Sequence, residues 1–142
     1  MGDFMFCSNL LVPFDGSMPS KKALNKALEL SALDTRIKLN IIHVINLHTS
    51  VHNLPGVENI FYEDGEQVLA EAEKIACDYD VSCQTELLTG TPASAILDYC
   101  KKHGCDLIIM GSRGLGGIKE FLGSVSHTVV HEAPAPVLII KA

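Results

Sequence analysis

Two short stretches of this chain hold residue types whose spacing could grip an anion. The longer runs Gly111-Ser112-Arg113-Gly114 and, after eight residues (115–122), resumes as Gly123-Ser124-Val125-Ser126. Gly111 and Gly114 let a ligand approach the main chain where a Cβ would collide. Gly123 through Ser126 reads as the opening of a helix, so free amides and two hydroxyls point at one spot, a geometry suited to phosphate. Arg113 adds a cation. The shorter stretch, Asp15-Gly16-Ser17, places a carboxylate at a turn after an apolar run. Each has a plainer reading. Glycine loops are mostly turns, Ser124 could be only an N-cap, and the Asp-Gly-Ser turn could only cap the next helix. Neither stretch is a Walker loop or a dinucleotide fingerprint, because the required Lys and the G-x-G-x-x-G after the first strand are both missing.

Other chemistry is sparse. The five cysteines, Cys7, Cys77, Cys83, Cys100 and Cys105, are odd in number and form no C-x-x-C. They read as small buried hydrophobes of a reducing compartment. His43 falls in an apolar strand and reads as a satisfied core histidine. His48, His52, His103 and His127 read as surface residues, and His131 sits near a helix C-terminus, where a cation is favoured. No metal cluster and no nucleophile–base pair is visible, so no catalytic residue is assigned.

The elements that must position these residues alternate in type. Residues 9–14 form a buried apolar run, followed from Pro19 by a helical stripe of Ala23, Leu24, Ala27, Leu28, Leu30 and Ala32. Residues 36–45 predict a second strand, residues 46–56 a loop, and residues 59–79 a helix lined by Val68, Leu69, Ala72, Ile75 and Ala76. Gly65 weakens the first half of that helix and suggests that the helix proper starts there. Residues 81–88 predict a third strand. A helix follows from Thr91 or Pro92 to His103, with Gly104 as its left-handed cap. Residues 106–110 predict a strand apolar on both faces, residues 124–132 a helix and residues 137–140 a fifth strand. Alternation of this kind implies parallel βαβ crossovers, hence a three-layer α/β fold, doubly wound and Rossmann-like or flavodoxin-like; 3-2-1-4-5 is the strand order expected. Ligands of such sheets gather beyond the C-terminal strand ends where the strand order reverses. Both anion-gripping stretches fall there.

Composition bounds the rest. With 142 residues and 47% apolar side chains, the chain suits a single domain spanning residues 1–142. A net charge of −6 argues against nucleic acid, which requires a basic stripe. No apolar run is long enough for a membrane helix. The first residues lack the features of a secretory signal, and Phe6 stands where a myristoylation signal needs Ser or Thr. A cytoplasmic location is the expectation.

Val12-Pro13-Phe14-Asp15-Gly16-Ser17, His43-Val44-Ile45, the Gly111–Ser126 motif and the Ala133-Pro134-Ala135-Pro136 approach to the last strand together resemble the universal stress protein family, over nearly the whole chain. The resemblance implies a five-stranded parallel sheet, a homodimer, and binding of an adenine nucleotide, ATP with or without Mg2+. By position, Asp15 would hydrogen-bond the adenosine, and Pro13 and Val44 would line the base and ribose pocket. Met110 and Gly111 would flank the nucleotide, and Arg113, Gly114, Gly123, Ser124, Val125 and Ser126 would hold ribose and phosphates. The nucleotide-binding branch carries G-x2-G-x9-G-[ST]; here the spacer is one residue shorter. One residue fewer in a helical turn rotates the chain beyond it by roughly 100°. Three outcomes are therefore open: a nucleotide-sensing dimer of the stress response, a weak ATPase or autophosphorylating enzyme using the same pocket, or a structural dimer that holds no nucleotide. The apolar final strand Val137–Ile140 reads as the sheet edge through which two copies pair.

Overall fold

A computed structural model describes residues 5–46, 55–112 and 122–141. Nine elements follow one another: β1 (Asn9–Pro13), α1 (Met18–Leu33), β2 (Lys38–Ile45), α2 (Val57–Asp78), β3 (Cys83–Thr89), α3 (Pro92–His103), β4 (Leu107–Gly111), α4 (Ser124–Glu132) and β5 (Val137–Ile140). The strands form one parallel sheet in the order β3-β2-β1-β4-β5, the expected doubly wound topology.

Strand alternation divides the core in two. Leu10 and Val12 of β1, Leu39 and Ile41 of β2, and Leu107 and Ile109 of β4 pack against α1 and α2. Leu11, Ile42, Ile108 and Met110 face α3 and α4 on the other side. All five residues of β4 are buried, as its unbroken apolar run requires. Each buried Leu or Ile contributes about 1.5–3 kcal/mol.

Three local readings change. In α1 the buried stripe continues from Leu24 and Leu28 to Ser31, while Ala32 is exposed, because a period of 3.6 carries the face to position 31. Gly65 does not mark the start of α2 but lies inside it, and a Cβ there would come within 2.8 Å of Leu87 Cδ1 and 3.1 Å of Ile45 Cδ1. It is a contact point where the helix presses on the sheet. Cys77 is exposed, unlike buried Cys7, Cys100 and Cys105.

A polar network closes the sheet at the end opposite the glycine motif. Buried Asn40 donates through Nδ2 to Asn9 Oδ1 (2.6 Å) and Leu10 O (3.0 Å), and accepts at Oδ1 from the Tyr99 hydroxyl (3.2 Å). Asn9 Nδ2 in turn donates to the His103 carbonyl at 2.6 Å. Every polar atom of the Asn40 side chain is therefore paired, which is what allows an amide inside the sheet.

Candidate nucleotide-binding site

The first loop is organised by short hydrogen bonds. Asp15 Oδ1 accepts from the Ser17 amide at 2.9 Å, closing an Asx turn. Ser17 is the N-cap of α1 and its hydroxyl accepts from the Ser20 amide at 3.3 Å. The Ser20 hydroxyl donates to the Ser17 carbonyl at 2.9 Å and accepts from the Asp15 amide at 3.4 Å. The turn thus caps α1 and also aims a carboxylate outward. Asp15 Oδ2 takes no hydrogen bond from a described residue, and Asp15 stays only half-buried.

Above this turn lies a cavity of about 250 Å3. Its walls come from the C-terminal ends of β1 (Pro13, with Phe14 and Asp15 just beyond), β2 (Ile42, His43, Val44) and β4 (Met110, Gly111). Ser20 of α1, Pro92 and Ile96 of α3, and Val125 and Ser126 of α4 close it. The reversal of strand order lies between β1 and β4, so the cavity occupies the crevice expected of this topology. Its size is just below the roughly 300–1,000 Å3 of pockets that enclose drug-sized ligands, and suits a nucleoside portion better than a whole triphosphate.

The structure brings Pro13, Asp15, Val44, Met110, Gly111, Val125 and Ser126 together around this cavity. Gly123 and Ser124 stand beside it at the start of α4 without lining it. Arg113 and Gly114 lie outside the described residues, as does most of the shortened spacer. Phe14, Ser20, Ile42, His43, Pro92 and Ile96 line the cavity without having been singled out for it. Their common signal is position: each ends a strand on the switch-point side or opens the first turns of a helix there. His43 Nδ1 lies 2.8 Å from the Phe14 carbonyl. Because a carbonyl only accepts, Nδ1 carries the proton, and a neutral ring keeps Nε2 as an acceptor. His43 is thus hydrogen-bonded, as expected, but it is half-buried in the cavity wall and not in the core.

Three motif residues do structural work as well. A Cβ on Gly111 would fall 2.7 Å from Pro19 Cβ and 2.8 Å from the Pro19 carbonyl carbon. Close approach of α1 to β4 therefore demands that glycine, whether or not a ligand is near. Ser126 is buried and its hydroxyl donates to the Gly111 carbonyl at 3.0 Å, tying α4 to the end of β4. That leaves the Ser126 oxygen as an acceptor and its amide as the donor available to an anion. Gly123 donates its own amide to Ser112 O at 2.8 Å and occupies the N-cap of α4 with no side chain to cap the first turn. The amides of that turn therefore keep their partial positive charge.

The sequence profile of the Universal stress protein family matches residues 7–141. Universal stress protein YxiE of Bacillus subtilis is 35% identical, with the match covering 94% of this chain and 99% of that protein. Universal stress protein MJ0531 of Methanocaldococcus jannaschii is 32% identical over 93% of this chain and 81% of its own length. The solved structure of hypothetical protein MJ0577, described as a structure-based assignment of its biochemical function, matches with a TM-score of 0.84 at 27% identity, covering 95% of this chain and 96% of that one. Two universal stress proteins share the fold with a TM-score of 0.74. One was solved with cAMP (24% identity, 96% and 98% coverage) and one, from Archaeoglobus fulgidus, with dAMP (22%, 96% and 100%).

Proposed function

The chain belongs to the universal stress protein family, and on that premise we propose that it binds one adenine nucleotide, ATP in particular, and reports the bound state through a homodimer. The observation that carries this reading is the composition of one cavity. Apolar walls (Val44, Ile42, Met110) suit a base, Asp15 offers to ribose hydroxyls an oxygen that takes no hydrogen bond from a described residue, and the first turn of α4 offers amides to phosphate. In this reading Pro13 and Gly111 flank the nucleoside, while Ser124, Val125 and Ser126 hold phosphate together with Gly123, Arg113 and Gly114. Mg2+ would accompany the phosphates. That the same fold holds cAMP and dAMP in two other proteins agrees with an adenine ligand. No helix among the described residues is long and apolar enough to cross a membrane.

The test is direct. Freshly purified protein is denatured and the released small molecules are identified, and the emptied protein is then titrated with ATP. Release of an adenine nucleotide, or saturable binding of ATP, is the expected result. No released nucleotide together with no binding at millimolar ATP overturns the reading. Sustained ATP turnover that Gly123→Val abolishes would replace a binding module with an enzyme.

A further inference from the structure

On the side of α4 away from the cavity, His127 and His131 stand one helical turn apart, both exposed. Their ring centres are 5.1 Å apart and the rings are tilted by 37° to each other. We propose that this pair is a binding site for a borderline divalent transition metal, with Zn2+ or Cu2+ as the natural occupants. The separation matches that of two imidazole rings that share one ion, each turning a nitrogen toward it. An ion about 2.1 Å from one nitrogen of each ring lies roughly 3.2 Å from each ring centre, and a tetrahedral angle then sets the centres about 5.2 Å apart.

Residues four apart on a helix share a face, so no backbone movement is needed to close the chelate. The rest of the surroundings decides the kind of ion. Two imidazoles are borderline donors that suit Cu2+, Ni2+ and Zn2+ and do not suit Mg2+ or Ca2+, which require oxygen ligands. Neighbouring Glu132 projects from a different side of the helix, one residue on from His131. No group of three or more His, Cys, Asp or Glu able to hold a metal occurs among the described residues. The site therefore supplies two ligands and leaves the remaining positions to water or to an incoming donor, as in metal sites with open coordination. A bound ion ties the middle of α4 to its last turn, bracing the helix whose first turn bounds the cavity.

The experiment titrates full-length protein with Zn2+ alone by calorimetry and follows Tm in parallel. His127→Ala and His131→Ala are the test variants; both positions are exposed and Ala favours helix, so the fold is retained. His48→Ala/His52→Ala, which removes the chain's other histidines spaced four apart, is the comparison. The wild type and the His48/His52 variant should each bind one equivalent, and either α4 variant should bind it at least tenfold more weakly. At a free Zn2+ concentration ten times the wild-type Kd, Tm should rise by about 4 °C in the wild type and by no more than about 1 °C in the α4 variants. Equal Zn2+ affinity in the wild type and His131→Ala, displacement of Zn2+ by equimolar Mg2+, or no binding below millimolar Zn2+ would each overturn the proposal.

Discussion

At the scale of single residues, residues of the candidate site also serve the fold. Asp15 uses one oxygen to close the turn before α1 and presents the other outward. Asp15→Asn keeps the turn acceptor and removes the charge, so stability should hold while ATP binding weakens about tenfold, roughly 1.4 kcal/mol. Calorimetric titration checks this, and unchanged affinity would take Asp15 out of the binding role. Gly111 is the opposite case, because its lack of a side chain is required by Pro19. Gly111→Ala should lower stability by about 1–3 kcal/mol in urea unfolding, the usual cost of overpacking a tight contact. Cys105 is quiet at this scale: burial first, then the nearby Cys100 and Asp106, push its thiol up to about 12, so it stays protonated and unreactive.

At the scale of elements, the strand ends are held by side chains as well as by the sheet ladder. Asp106, just before β4, accepts from the Ser8 amide (2.8 Å), the Ser8 hydroxyl (2.9 Å) and the Asn9 amide (3.0 Å), anchoring the start of β1. Burial alone would raise the Asp106 pKa, but these hydrogen bonds outweigh it and hold the carboxyl below its ordinary value. A depressed carboxylate stabilises the fold fully above its unfolded pKa of about 3.9, and the contribution is lost as pH falls through the folded value. Asp106→Ala should therefore cost about 1–2 kcal/mol at pH 7, the scale of solvent-screened hydrogen bonds. The gap from wild type should close as pH drops below about 4 in urea melts, and a gap independent of pH would contradict the anchoring role. The helix boundaries were legible wherever capping chemistry is local, as at Pro92 and at Gly104, which takes φ 63. The role of Gly65 was not legible, since its reason lies in Leu87 and Ile45, on strands distant in sequence.

At the scale of the whole molecule, the sheet ends in two edges, β3 and β5. Strand β5 is short and apolar, and Leu138 is 47% exposed in the single chain. An apolar edge with unpaired backbone groups favours pairing with another copy. The protein should be a dimer at micromolar concentration, and Leu138→Lys should shift it to monomer in light scattering with the fold retained. A monomeric wild type would refute the expectation. A dimer joined there would place α4, the helix next to β5 that carries both the candidate phosphate turn and the histidine pair, near the interface.

Periodicity was enough to establish the α/β class with a doubly wound sheet, and glycine placement pointed to the crevice where the strand order reverses. Those follow from local rules, because hydrophobic period and crossover geometry leave few topologies. The family motif also singled out Asp15, Gly111 and Ser126. Only the tertiary structure decided what they touch. Ser126 ties down the Gly111 carbonyl, Gly111 yields room to Pro19, and His43 is locked by Phe14, in pairs separated by 15, 92 and 29 positions. Contacts between segments so far apart leave no periodic trace in a single sequence; they exist only after the layers have packed.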